Sequence, residues 1–552
     1  MTDRRTFLKQ TGTLVALGSR RLFAEEPAKE TNLAEEKPVA TKGTVDQGLP
    51  GPSSTDTRKP ADPRIRDIGS RKQLFIDERF VDEARGVELV VNPPVKAGQI
   101  DVAAETAPCV VEHDGVYHLY QGLNGRTSLW TSTDGLQWKA RGPIIGIDDN
   151  GPQWTSINSV FIDPRDAAWP FKGLYERTPK KIIEPETKRT HTPAVPGGLY
   201  LCQSRDGITW DYIPKVAVPF LCDTQNQMLY DPWLEKYVAY VRAFPELDGP
   251  FRYKRCVARV ETADLFALPW PHRSNPANKG SGKHDFPYIN DELQIVMGPD
   301  ADDPQRTDLY NPCMHVYPEA EQVYLAFPSM YRCWGYGGGN SSAGRDHRGN
   351  FFNDGIFETQ LAVSRDGMRF TRYRTPYLQA GMIRNTAGTD SDLDCGLMMM
   401  GIGMLRRGDE IWQYYFGTRR THEEKEQAEK AGRVGEGIFR TVQRLDGFVS
   451  VDAAQRTGEF TTPLVTFAGS RLVLNAACHG LGEIWVEIRD HTGEPVPGFG
   501  QTDAVSIDRN GTTQEVWWKQ GPDVSTLAGR PVRLRFVMRS AKLFAFQFMT
   551  PN

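Results

Sequence analysis

Short aromatic and β-branched runs alternate with Asp-Gly, Gly-Asp and Asp-Pro turns over most of this chain. That pattern predicts antiparallel strands and little helix. One phrase recurs: Ser132-Thr133-Asp134-Gly135-Leu136-Gln137-Trp138 returns as Ser204-Arg205-Asp206-Gly207-Ile208-Thr209-Trp210 and as Ser364-Arg365-Asp366-Gly367-Met368-Arg369-Phe370. Weaker copies are Thr262-Ala263-Asp264-Leu265, running on to Trp270, and Arg444-Leu445-Asp446-Gly447-Phe448. The five aspartates are 72, 58, 102 and 80 residues apart. Uneven spacing around one shared unit is how repeats with loop insertions of different length read, and Asp-Gly suits a tight turn between strands.

Each turn is preceded by a pair of apolar segments. The inner ones are Cys109-Val110-Val111, Val160-Phe161-Ile162, Met228-Leu229-Tyr230, Met314-His315-Val316-Tyr317 and Met399-Met400-Gly401-Ile402. The second ones begin at Val116, Leu174, Tyr237, Val323 and Ile411. Five such units predict an all-β chain with a closed five-bladed β-propeller over 66–456. From about Thr457 the rhythm changes to six to eight short strands, which predict a C-terminal β-sandwich over 457–552. Within it, Trp517-Trp518 is either a sugar-stacking platform or core packing.

The propeller topology makes a map. Residues before each inner strand and after each second strand share one mouth. The first set gives Asp101 and Glu105, Ser156 and Asn158, Asp223 and Asn226, Asp308 and Asn311, Asp392 and Asp394. The second gives one arginine position per blade: Arg126, Arg177, Arg242, Arg332 and Arg419-Arg420. Arginines at strand ends serve either as blade-to-blade ion pairs or as ligand contacts.

Composition narrows the classes. The 552 residues carry a net charge of −4, so neither nucleic acid nor an anionic membrane is implied as partner. Arg4-Arg5-Thr6-Phe7-Leu8-Lys9 and the weakly apolar stretch after it fit a twin-arginine export signal over 1–24, predicting a periplasmic or extracellular protein. Residues 25–65, rich in Pro, Glu, Lys and Thr, predict a disordered linker. No segment is apolar enough to span a bilayer. Eight cysteines without Cys-x-x-Cys spacing and ten histidines without a His-x-x-x-His pattern indicate no metal site and no cofactor.

The ordered phrases resemble the five-bladed propeller superfamily of glycoside hydrolase families 32 and 43. The stretch Ser70-Arg71-Lys72-Gln73-Leu74-Phe75-Ile76-Asp77 is similar to one in exported bacterial family-32-like proteins. The resemblance covers about 66–552 and implies glycan chemistry. The family motifs themselves are absent: Gln99 to Glu105 replaces the blade-one Asn-Asp-Pro-Asn-Gly, and no Glu-Cys occurs in blade three. No catalytic triad transfers from the family.

Site chemistry fills the gap. Cleaving a glycosidic bond takes one protonated carboxyl and one carboxylate. Glu358, opening the third strand of blade four between Phe357 and Leu361, is the expected acid; Asp223 is the expected base or nucleophile, with Asp308 orienting. Asp101, Glu105, Asp394 and the arginines Arg126, Arg177, Arg242, Arg332 and Arg419 are the expected substrate contacts, and the arginines point to a uronate- or sulfate-bearing oligo- or polysaccharide. The insertion from Trp334 to Asp354 reads as a rim loop. Two other readings stay open. One is a propeller that binds glycan without cutting; the other is a uronate lyase using an arginine with Tyr310, Tyr331 or His422.

Overall fold

A computed structural model describes residues 65–123, 126–146, 157–177, 182–183, 190–191, 197–223, 225–245, 255–278, 287–304, 307–333, 354–384, 391–422, 429 and 434–550. The expected signal, linker and most of the 334–354 insertion lie outside these residues, as does Ser156.

Five antiparallel sheets make the five blades. Blade one runs Cys109–His113, Val116–Leu123, Arg126–Ser132 and Lys139–Pro143 from inner to outer strand. Blade two is Ile157–Ile162, Phe171–Arg177, Gly198–Ser204 and Trp210–Val218; blade three is Gln227–Asp231, Lys236–Ala243, Cys256–Thr262 and Gln294–Met297. In blade four the inner strand is split into Thr307–Leu309 and Met314–Val316, the second into Tyr324–Ala326 and Ser329–Cys333. Gly355–Ser364 and Thr371–Leu378 complete it.

Blade five closes the ring with a strand from the other end of the chain. Leu397–Met400, Glu410–Thr418 and Glu436–Arg444 take Val95–Ile100 as their outer strand. The Lys96 ammonium lies 2.6 Å from the buried Asp394 carboxylate, which also accepts the Tyr415 hydroxyl at 2.8 Å. This clasp ties the first propeller strand to the last blade, so blade one meets blade five without a loose edge.

The recurrent turn is a blade-to-blade joint. Asp134 accepts the backbone N–H groups of Leu136 and Gln137, and Ser132 Oγ accepts that of Gly135. Asp206 and Asp366 repeat the arrangement with Ser204 and Ser364. Each turn glycine then offers its carbonyl to a tyrosine hydroxyl of the preceding blade: Tyr414 to Gly135 at 2.6 Å, Tyr120 to Gly207 at 2.9 Å, Tyr240 to Gly367 at 2.9 Å. The aromatic residue closing each phrase packs edge-on against the same tyrosine, Trp138 on Tyr414, Trp210 on Tyr120 and Phe370 on Tyr240. Such edge contacts add about 0.5–1.5 kcal/mol each beyond area burial. The weaker copies have a matching cause. Blades two and four carry Leu174 and Phe327 where Tyr120 and Tyr240 stand, three residues after the partner of the turn serine or threonine. Neither offers a hydroxyl, and the turns they face have drifted.

The C-terminal sandwich is built around two long strands, Arg471–Arg489 and Arg533–Met549, which pair along most of their length. The pairing is interrupted between Cys478 and Glu483, and Ser540 there has φ 45°. Leu472, Leu474, Ile484, Val486, Ile488, Leu534, Phe536, Leu543 and Phe548 share one core. The expected boundary at 66 does not hold for strand pairing. Arg66–Gly69, Gln73–Leu74, Glu83–Arg85 and Val87–Val91 all pair with strands between 449 and 549, so 66–91 belongs to the sandwich sheets and propeller pairing starts at Val95. Ile68, Phe75 and Phe80 sink into the sandwich core, which is why this stretch pairs there. The Ser70-to-Asp77 phrase also rivets the sandwich to the blades: Arg71 meets Glu321, Lys72 meets the buried Asp446 at 2.9 Å, and Asp77 receives Arg365.

Candidate functional site

At the mouth between blades two and three, the strand ends set a carboxyl pair. Glu176 ends the second strand of blade two and is buried. Its carboxyl accepts backbone N–H groups of Asp223 and Cys222. Burial, reinforced by the Asp223 charge, pushes it up to about 8 against the pull of those N–H groups and of Arg242. Asp223 sits in a left-handed turn at φ 48°, its side chain 57% exposed. Asn226 fixes that turn, donating to the Asp223 carbonyl at 3.1 Å and accepting the Arg242 N–H at 3.0 Å. The Asp223 carboxylate therefore meets Arg242 Nη1 at 2.8 Å.

Arg242 is 1% exposed, and its guanidinium lies 4.2 Å above the Tyr310 ring. Beside it Arg255, opening the third strand of blade three, holds the buried Asp308 at 2.6 Å. The Arg255 carbonyl accepts the Leu309 N–H, joining blades three and four at this point. Tyr310 follows in the gap of the split inner strand, and its hydroxyl shares a 3.0 Å hydrogen bond with His422 Nε2 from blade five. Tyr331 and Phe357 pack around that pair. Burial would raise the Tyr310 phenol, but His422, Arg242 and Arg255 outweigh burial and the Asp223 charge and pull it down to about 8. Tyr288 completes the wall, raised to about 12 by burial and by Asp223.

The structure thus gathers Asp223, Asp308, Arg242, Tyr310, Tyr331 and His422, all named from the sequence. It adds Glu176, Arg255 and Tyr288, which were not. Glu176 reads as an ordinary strand residue, although it stands next to the strand-end Arg177; Arg255 opens a third strand, a position the strand-end rule does not cover.

Other expected contacts go elsewhere. In blade four Asp308 pairs with Tyr331 and Tyr331 with Phe357, whereas Leu309 pairs with Met330 and Met330 with Glu358. Paired residues share a face and neighbours alternate, so Glu358 lies on the opposite face from Asp308. It is 31% exposed and 3.8 Å from Arg332, which donates to Thr307. Arg177 stacks over Tyr200 and Tyr212 and donates to the Tyr212 hydroxyl. Arg419 clamps the carbonyls of Ser391 and Val434; Arg420 pairs with Glu436 and Asp392 with Arg384. Asp394 is held in the ring clasp. Asp101 and Arg126 are exposed strand-end residues, and Glu105 is exposed in the bend before Cys109. In the sandwich, Trp518 is core and donates to the Val486 carbonyl, while Trp517 is 47% exposed.

Among the described residues, no group of three or more His, Cys, Asp and Glu is placed to hold a metal ion, and no helix is long and apolar enough to cross a membrane.

No family model matches the chain, and no curated protein does. Solved structures with a similar chain path include a thermostable family-43 glycoside hydrolase, 13% identical, covering 65% of this chain and 95% of its own, with a TM-score of 0.38. A family 32 beta-fructofuranosidase of Bombyx mori is 10% identical, covers 84% and 96%, and scores 0.36. A structure from the GH130 family of mannoside phosphorylases is 16% identical, covers 68% and 97%, and scores 0.35. At such scores these likenesses bear on neither chemistry nor residue roles.

Proposed function

We propose that the protein hydrolyses glycosidic bonds in an anionic glycan at this mouth, with Glu176 donating the proton and Asp223 acting as base or nucleophile. The observation behind this reading is the inequality of the pair. Glu176 keeps its proton up to about pH 8, while Asp223 is paired with a guanidinium 2.8 Å away. One carboxyl of each kind is what acid-assisted cleavage requires. The proton-donor role moves from Glu358 to Glu176, because Glu358 stands across the sheet from the cluster. Asp308, fixed by Arg255, is the orienting group. Arg242 and Arg255, both lying against the Tyr310 ring, suit a uronate or sulfate substituent. The Arg4-Arg5 signal supports action after export.

Ion pairing supports a second reading, glycan binding without cleavage. Asp308, Asp392 and Asp394 are each engaged by a cation at 2.6–2.7 Å. A panel of acidic and neutral polysaccharides with reducing-end detection separates the two. Hydrolysis predicts new reducing ends from an acidic glycan and a loss of about 100-fold or more in Glu176→Gln and Asp223→Asn. Retention of the glycan with no new ends, or full turnover by both variants, defeats the hydrolytic reading.

A further inference from the structure

Hydrolysis leaves part of this mouth unused. Tyr310 and His422 share a 3.0 Å hydrogen bond, and the Tyr310 ring lies beneath Arg242. Arg242 spends only Nη1 on Asp223; its Nε and Nη2 are buried and have no hydrogen-bond partner among the described residues. Those two nitrogens form the side edge of the guanidinium, the edge that takes two carboxylate oxygens at once. Leaving such donors buried and unbonded is costly, a cost an incoming anion relieves. Asp223, on the neighbouring nitrogen, is more than half exposed.

We propose that the mouth performs β-elimination on a 4-linked uronate, with Arg242 gripping the carboxylate, Tyr310 as base and His422 as its proton partner. The proton on C5 of a uronate is adjacent to the carboxylate, and it becomes removable when a guanidinium offsets the charge that develops there. The Tyr310 oxygen takes that proton, the C5–H electron pair becomes the C4=C5 double bond, and the C4–O4 bond breaks. His422, as imidazolium, protonates the departing O4; the proton on Tyr310 then passes across the hydrogen bond to His422. The products are a 4,5-unsaturated uronate and a sugar with a free hydroxyl, and no water or co-reactant is consumed.

The electrostatics agree with that geometry. Tyr120, Tyr240 and Tyr377 are buried elsewhere and their phenols are pushed up. The Tyr310 phenol is instead pulled down, because His422, Arg242 and Arg255 together outweigh its burial and the charge of Asp223. This inference does not rest on the hydrolytic reading, and the two reactions leave different products.

Full-length protein is incubated with polygalacturonate, glucuronan and alginate, and products are followed by ultraviolet absorbance and mass. Elimination predicts absorbing, unsaturated ends with no added water. Tyr310→Phe, which keeps the ring under Arg242, is expected to slow their formation about 100-fold or more. His422→Gln, altered on a partly buried residue, is expected to do the same and stands in if Phe at 310 impairs folding. No absorbing product from any of the three polymers, or undiminished formation by both variants, overturns the proposal. Products that gain water and do not absorb refute elimination and leave hydrolysis standing; absorbing products alone refute hydrolysis.

Discussion

Replacing Gly207 with alanine is expected to lower the unfolding free energy by about 2–5 kcal/mol. Gly207 has φ 73°, a conformation costing an L-residue about 1–2 kcal/mol. A Cβ there would lie 2.5 Å from the Tyr120 hydroxyl and 3.1 Å from the Phe171 ring. Tyr120 cannot retreat freely: its hydroxyl donates to the Gly207 carbonyl and its ring is packed on Trp210. Overpacking of this kind adds about 1–3 kcal/mol. Gly115 supplies the control. Its φ is 74°, yet nothing lies within 4 Å of a Cβ built on it, so Gly115→Ala carries the backbone strain alone. Denaturant titration of the two variants compares them; equal losses would show that the turn is not a joint between blades.

The second large effect is a dependence of stability on pH that one carboxyl controls. The folded chain keeps the Glu176 proton up to about pH 8, whereas the unfolded chain releases it near 4.5. Between those values the folded state binds more protons, so its stability falls as pH rises and levels off above about 8. At about 1.4 kcal/mol per pKa unit, the whole window amounts to several kcal/mol. His315 acts in the opposite sense. Burial lowers it from 6.5 to about 3, so the folded state binds fewer protons there and stability rises with pH across that range. The two slopes offset each other between about 4.5 and 6.5, which leaves pH 6.5 to 8 as the window where Glu176 acts without His315, worth about 2 kcal/mol. Above about 8, Tyr310 adds a rise, because its folded value lies below the ordinary 10. Glu176→Gln is expected to abolish the decline between 6.5 and 8. Parallel curves for the variant and the parent would contradict the assignment.

How far the sequence was legible follows from how local each feature is. The Asp-Gly joints are short-range chemistry, Asp134 bonding residues two and three positions ahead, so their recurrence announced the five blades. The clasp of Val95–Ile100 onto blade five and the docking of 66–91 onto the sandwich join segments hundreds of residues apart, and no local phrase encodes them. At the site, topology gave the correct end of each strand, and Asp223, Arg242 and Asp308 met there. It did not give the face. Glu358 stands at the right height on blade four, but its pairing with Met330 turns it away from Tyr331, and strand parity across the broken inner strand is invisible in a linear pattern. The arginines illustrate the same limit. Four of the five lie at the end of a second strand and Arg126 opens a third, yet Arg177 finds two tyrosines in its own blade and Arg419 finds main-chain carbonyls, and only Arg242 reaches the carboxyl pair.

The central claim is that a neutral Glu176 lies beside the Arg242-paired Asp223 at neutral pH. Infrared difference spectroscopy between the parent and Glu176→Gln reads it directly. At pH 7 the parent should show a protonated-carboxyl band that the variant lacks, fading as pH passes about 8. A parent spectrum without that band at pH 7 would contradict the account.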